Sequence, residues 1–185
     1  SSLIPSQCVD CPFYAIEDEQ GRIWFADKQR DFKYLNLGAE ECSKISVNSP
    51  YSANIREIHV ANNQVWIASG GVSPSISSLD RNDGFFSLIE GSWKVYNRFN
   101  TSVMSDLRDF MNVRVHPENG KVYASSFWDG LVEFDGENFI IFDDSNSSLN
   151  NAVQDFNRTR VSGLAYDNDN NPVSYTHLRA HETVV

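Results

Sequence analysis

The chain is 185 residues long, with 15 Lys+Arg against 25 Asp+Glu and a formal net charge of -10. That length suits one domain with a buried core, and a composition of 41% hydrophobic against 22% charged residues excludes a disordered chain. An acidic surface repels phosphate backbones, which excludes nucleic-acid binding as the main activity and disfavours a polybasic membrane-surface mode. No run approaches the ~18 apolar residues of a membrane helix.

The first residues already read as the inside of a fold, with no initiator Met and no signal-peptide pattern. Cys8-Val-Asp-Cys11 is a C-x-x-C, and Cys42 follows. A zinc site wants a second pair or nearby histidines, and a thioredoxin-like motif wants a βαβ context. Neither is present, so buried or disulfide-paired cysteines are expected.

A repeat then runs along the chain. Phe13-Tyr-Ala-Ile16 leads through a polar turn ending at Gly21 to Ile23-Trp24-Phe25-Ala26. The run from Ile55 to Val60 leads through Ala61-Asn-Asn-Gln64 to Val65-Trp66-Ile67-Ala68. Val113-Arg-Val-His116 leads through Pro-Glu-Asn-Gly120 to Val122-Tyr123-Ala124-Ser125. The run from Val161 to Tyr166 leads into Asp167-Asn-Asp-Asn-Asn171. Alternating apolar residues mark half-buried strands, and Gly, Asn and Asp suit the tight hairpins between them.

Two units continue, through Phe85-Phe-Ser-Leu88 to Trp93-Lys-Val-Tyr96 and through Leu131-Val-Glu-Phe134 to Phe139-Ile-Ile-Phe142. The interval from Trp24 to Trp66 matches the ~40–50-residue period of propeller blades. The longer one from Trp66 to Tyr123 calls for an insertion, expected over residues 97–110. A short helix is expected from Ser102 to Met111, with Met104, Leu107 and Met111 on one face. A weaker helix candidate runs from Asn150 to Phe156.

The expected fold is therefore all-β, a partial β-propeller. About three and a half four-stranded antiparallel blades would form an open arc, against the ~4–8 blades of a closed ring. The recurring Trp24, Trp66 and Tyr123 are expected to pack between adjacent sheets.

Catalytic chemistry is not visible. There is no G-x-S-x-G elbow and no phosphate-binding Gly loop. Asp167-Asn-Asp-Asn-Asn171 has alternating oxygens but lacks the Gly and Glu of a calcium loop, and reads as a hairpin turn. His59 and His116 fall on first strands of their units and read as hydrogen-bonded strand histidines. No catalytic, cofactor or metal residue is assigned. The one candidate ligand contact is Trp128 in Phe127-Trp128-Asp129, where the second strand turns into the third; an exposed indole there could stack on a sugar ring.

Asp18-Glu-Gln-Gly21-Arg-Ile-Trp24 resembles the D-x-x-G-x-hydrophobic-W core of the two-component-regulator propeller repeat, and the stretch from Val113 to Phe134 is similar, with Tyr123 in place of Trp. A closer resemblance runs through Cys42-Ser-Lys-Ile-Ser-Val-Asn-Ser-Pro50, Val65-Trp-Ile-Ala-Ser-Gly-Gly71, Gly91-Ser-Trp93, Val122-Tyr-Ala-Ser-Ser-Phe-Trp-Asp-Gly-Leu131, Asn146-Ser-Ser-Leu149 and Val161-Ser-Gly-Leu-Ala-Tyr-Asp167. In this order they look like the propeller region of PorZ-type proteins of the Bacteroidota type IX secretion system.

That resemblance implies a non-enzymatic protein on the outer face of the outer membrane, with two propellers and a sorting domain. It would work with the sortase machinery that attaches cargo to anionic lipopolysaccharide, and would present that glycolipid to the sortase. The alternative is the periplasmic glycan-sensing propeller of a hybrid two-component regulator.

After Asn171 the composition changes abruptly. Val173-Ser-Tyr-Thr-His-Leu-Arg-Ala-His-Glu-Thr183 resembles a translated sequencing adapter. Residues 1–171 are thus expected to be a truncated propeller and 172–185 a non-native tail, with the His177/His181 pair carrying no metal site.

Overall fold

The structure, a computed structural model, describes residues 9, 11–27, 32–45, 47–151, 158–175 and 182–184. It divides into two compact units, residues 1–48 and 49–185.

The first unit is one antiparallel sheet in chain order: β1 (Pro12–Glu17), β2 (Arg22–Asp27), β3 (Phe32–Asn36) and β4 (Ser43–Ile45). Strands β3 and β4 were not located individually from the residue pattern. One face buries Phe25 and Leu35, with Val9, Ile23, Ala39 and Cys42 packed around them. On the other face Trp24 lies 4.9 Å from Tyr34 and 5.2 Å from Phe32. The β1 side chains, expected to be half-buried, are exposed.

The β1–β2 turn explains its own sequence. Asp18 accepts the backbone N–H of Gln20 and Arg22, and one carboxylate oxygen takes both Arg22 Nε and Trp24 Nε1, each at 2.6 Å. Asp18 thus both shapes the turn and anchors the Trp24 indole. Burial alone would raise the Asp18 carboxyl, but these hydrogen bonds outweigh it and hold it far below the usual carboxylate range.

The second unit holds three sheets. The first comprises β5 (Glu57–Ala61), β6 (Gln64–Ala68), β7 (Phe85–Ile89) and β8 (Ser92–Tyr96). The next comprises β9 (Phe110–Val115), β10 (Val122–Ser126), β11 (Gly130–Phe134) and β12 (Phe139–Phe142). The last comprises β13 (Gly163–Tyr166), β14 (Pro172–Tyr175) and β15 (Glu182–Val184). All pairings are antiparallel between sequence neighbours.

Side-chain alternation makes the middle sheet a shared wall. Val122, Ala124, Val132 and Phe134 join Trp66, Ala68, Phe85 and Phe110 in one core cluster. Tyr123 and Leu131 join Leu149, Val161 and Leu164 in another. Trp66 stacks 6.0 Å from Tyr96 and meets Phe134 edge-on at 6.4 Å. The second-strand aromatics Trp66 and Tyr123 therefore pack between neighbouring sheets, as expected for blades. The fold is all-β, a partial β-propeller.

Three expectations need correction. Among the described residues only Ser102–Met104 is helical, as a single 3-10 turn. Met104, Leu107 and Met111 are buried all the same, because the chain passes from that turn directly into β9 and packs them in irregular and extended backbone. Thr101, at the N-cap, makes no side-chain capping bond, and Asp109 takes a φ of 52°; neither supports a longer helix. The surplus between Trp66 and Tyr123 also lies elsewhere. Residues 69–84 join β6 to β7, whereas residues 127–129 suffice between β10 and β11. The Gly70-Gly71 pair and the Ser-rich stretch after it form that excursion. The second helix candidate falls largely on residues outside those described.

The third correction concerns Cys11 alone. Cys11 is a free, exposed thiol, not a buried or paired one. Cys42 is disulfide-bonded, and Cys8 lies outside the described residues.

The stretch read as a non-native tail includes two strands, β14 and β15. Val173 and Ser174 of β14 are buried, and β15 pairs with β14. Strand pairing is made by backbone groups and asks little of side-chain identity. His177 and His181 lie outside the described residues.

Candidate functional site

Trp128 stands in the turn that joins β10 to β11, as its position predicted. The turn is organised by one hydroxyl. Ser126 Oγ donates to the Arg108 carbonyl at 2.7 Å and accepts the N–H of Trp128 at 3.1 Å and of Asp129 at 3.3 Å. Gly130 closes the turn at φ 104°, where a Cβ would lie 2.2 Å from the Phe142 carbonyl oxygen. Phe127 is buried and its N–H donates to the Asp109 carbonyl.

Three guanidinium groups gather on this aromatic pair. Arg158 lies 4.4 Å from the centroid of the half-buried Trp128 ring, and Arg108 lies 5.7 Å from it. Arg160 lies 4.9 Å from the Phe127 ring. Each such contact is worth about 0.5–2 kcal/mol, depending on solvation. Arg158 Nη1 also donates to both Asp129 oxygens, at 3.0 and 2.8 Å, and Arg108 pairs with Asp80 at 3.1 Å. Burial pushes the Asp129 carboxyl up; Arg158 pulls it down, and Asp106 adds to the rise.

Asp109 fixes the neighbouring loop. It is fully buried, and its carboxylate accepts the Ser78 hydroxyl and the backbone N–H groups of Leu79, Asp80 and Arg81. Arg81 Nη1 donates to the Gly70 carbonyl at 2.9 Å. The backbones touch here, since a Cβ on Gly70 would lie 2.3 Å from Phe110 N. Loops from all three sheets of the second unit therefore meet at Trp128.

Three buried donors in this group have no partner among the described residues: Trp128 Nε1, Arg108 Nε and Arg160 Nε. A buried polar group left unpaired costs about 1–3 kcal/mol. Donors without acceptors suit a ligand rich in oxygen. The arginines did not stand out in the sequence, although one signal was available: in an acidic chain, Arg108, Arg158 and Arg160 all fall just before the first strand of a unit.

The histidines are apart from this site. His116 follows β9, and its Nδ1 accepts the N–H of Glu118 at 3.2 Å and of Asn119 at 3.4 Å. Its ring meets Tyr166 edge-on at 5.2 Å. His59 lies on β5, with Nε2 buried and unpartnered, and feels both Arg114 and Glu57. Glu57 pairs with Arg114 Nη2 at 2.6 Å and accepts Asn112 Nδ2 and the Val113 N–H.

Asp167 accepts the N–H groups of Asp169 and Asn171 and the Asn171 amide. Its oxygens thus shape the hairpin turn, as the turn reading predicted. No group of three or more metal-donor side chains occurs among the described residues. No described helix is long and apolar enough to cross a membrane.

No family model matches the chain, and neither does any curated protein. Solved structures do. The chain is similar to PorZ, an essential bacterial surface component of the type-IX secretion system of Porphyromonas gingivalis, at 14% identity and a TM-score of 0.61; the match covers 83% of this chain and 25% of that one. The extracellular domain of a putative hybrid two component system from B. thetaiotaomicron superposes at a TM-score of 0.40 and 13% identity, covering 93% of this chain and 19% of that one. An auxiliary nutrient binding protein from Bacteroides ovatus gives 0.41 at 11% identity, covering 90% and 36%. The chain spans about a quarter of the length of PorZ, and the likeness to it is one of fold: a partial β-propeller.

Proposed function

We propose that this chain is part of a non-enzymatic propeller that works outside the cytoplasm by binding a glycan, with the Trp128 end of the sheets facing the ligand. One observation carries the reading: a half-buried indole, with the Arg108 and Arg158 guanidinium groups near its ring, where loops of three sheets converge. Such a surface offers stacking and hydrogen-bond donation. The nearby carboxylates of Asp129 and Asp109 are engaged as acceptors within the fold.

In its finer form, the propeller sits at the cell surface in a type IX secretion assembly and presents anionic lipopolysaccharide to the sortase. The fold likeness to PorZ and the order of sequence segments support this form. The test is sedimentation of the chain with vesicles carrying anionic lipopolysaccharide, against plain phosphatidylcholine vesicles. Selective co-sedimentation, lost in Trp128→Ala at an unchanged circular dichroism spectrum, is expected. Equal binding to both vesicles, or full retention by the variant, would overturn it.

We further infer that residues 172–185 are a non-native extension. The change of composition after Asn171 supports this. An uninterrupted gene whose reading departs from this sequence at that point would establish it, and one that continues unchanged would remove it.

A further inference from the structure

We propose that the Phe127–Trp128 turn carries a subsite for a single acceptor-rich anionic group, a phosphate or a carboxylate, held by Arg160 together with Arg108 Nε and the Trp128 indole N–H. It rests on the reading of the Trp128 end as ligand-facing, and adds to it the chemistry of one ligand group and the residues that read it.

The argument starts from the kind of atom left unpaired. The three orphans here are all N–H donors, and none of them can accept. Hydroxyls without partners elsewhere, on Ser69, Ser87, Ser174 and Tyr166, can act in either sense. A neutral hydroxyl or a water must point its own hydrogen somewhere, whereas a phosphate or carboxylate oxygen only accepts.

The arginines also differ in what they have. Arg158 is held by Asp129 and Arg108 by Asp80. Among the described residues Arg160 has no carboxylate partner; it stacks on Phe127. Among the described residues it is therefore the arginine of the cluster without a carboxylate, on a chain whose net charge is -10. Stray anions are repelled by that overall charge, so occupancy depends on local donors. Arg108, Trp128 and Arg160 are each half-buried. Because the three nitrogens are buried, binding requires the guanidinium ends of Arg108 and Arg160 to move aside and admit one tetrahedral or planar anion.

The test is titration of the chain, with ¹⁵N-labelled indoles, by glucose 1-phosphate and galacturonate against glucose and galactose. The Trp128 indole signal is assigned by its absence in Trp128→Phe. The charged probes are expected to shift that signal and the neutral ones to leave it in place. Arg160→Gln is expected to weaken the charged probes about tenfold or more at an unchanged circular dichroism spectrum, and Arg108→Gln acts in the same direction.

An indole signal that no charged probe moves, or an Arg160→Gln chain that binds like the parent, overturns the subsite. If lipopolysaccharide vesicles still need Trp128 in that case, the ligand-facing end stands without it. If they do not, both fall. Phosphatidic acid vesicles against soluble sugar phosphate then distinguish a lipid headgroup from a sugar-borne anion, and binding of either through Arg160 supports the subsite.

Discussion

Asn100 and Asn146 make the same two bonds after the last strands of consecutive sheets. Each side-chain amide donates to the carbonyl five residues earlier, Val95 at 2.7 Å and Ile141 at 2.8 Å. Each side-chain oxygen accepts the N–H three residues earlier, from Asn97 at 3.0 Å and Asp143 at 2.9 Å. The outer strand is thereby turned back, and Met104 and Leu149 follow as buried anchors.

Replacing either amide with alanine removes a cap from an outer strand. Asn100→Ala and Asn146→Ala are each expected to cost about 1 kcal/mol. Their effects should add, since the two turns share no partner. Urea unfolding of the two single variants and the double variant measures this.

Trp66 and Tyr123 hold equivalent positions but different chemistry. Trp66→Ala should open a cavity between two sheets and cost about 3–5 kcal/mol. Tyr123 donates to Glu133 Oε2 at 2.5 Å, and Lys121 holds the other oxygen at 2.7 Å. Burial and the Glu133 charge push the Tyr123 hydroxyl well above its ordinary range. Tyr123→Phe keeps the ring and loses one bond, at a cost of about 1 kcal/mol. Unfolding midpoints of the two variants should separate accordingly.

Acid should loosen the second unit in two steps. Burial, followed by the charge of Arg114, lowers the His59 pKa below 6.5, while Glu57 opposes this. The unfolded chain then takes a proton that the folded chain refuses, so stability falls as pH drops below 6.5. Burial disfavours the charged form of Glu57, but bonds from Arg114, Asn112 and the Val113 N–H hold its carboxyl below 4.5. Its contribution is complete above 4.5 and is lost as pH falls through the folded value. Thermal melts from pH 7 to 3 should show both steps. His59→Gln should flatten the upper one and Glu57→Gln the lower.

Cys11 is exposed and unpaired, whereas Cys42 is bonded. Iodoacetamide under native, non-reducing conditions should therefore label Cys11 and spare Cys42. Peptide mapping reads this directly, and labelling of Cys42 without reductant would contradict the pairing.

Much of the architecture was legible because repeats preserve what packs. Trp66 and Tyr123 announced the second strands, and the Asp18 motif announced its turn through bonds local in sequence. The long connection over residues 69–84 was harder to place. Its shape depends on Asp109, whose carboxylate organises Leu79, Asp80 and Arg81 from about thirty residues away. The helix read into residues 102–111 failed for a related reason. Burial of Met104, Leu107 and Met111 satisfies a helical spacing without helical backbone. At the candidate site Trp128 was visible as an aromatic in a turn. Arg108, Arg158 and Arg160 were not, because they arrive from separate segments and only the fold brings them to one ring.

Glu57 has a consequence for how the molecule keeps to itself. A first strand has one lateral row of amides and carbonyls with no neighbouring strand to receive them, and such a row invites a foreign strand to add on. The Glu57 carboxylate takes the Val113 N–H, and Arg114 covers the Val113 carbonyl at 2.8 Å. Both polar groups of that residue are already spoken for, so an intruding chain would find no hydrogen-bond template at the midpoint of β9.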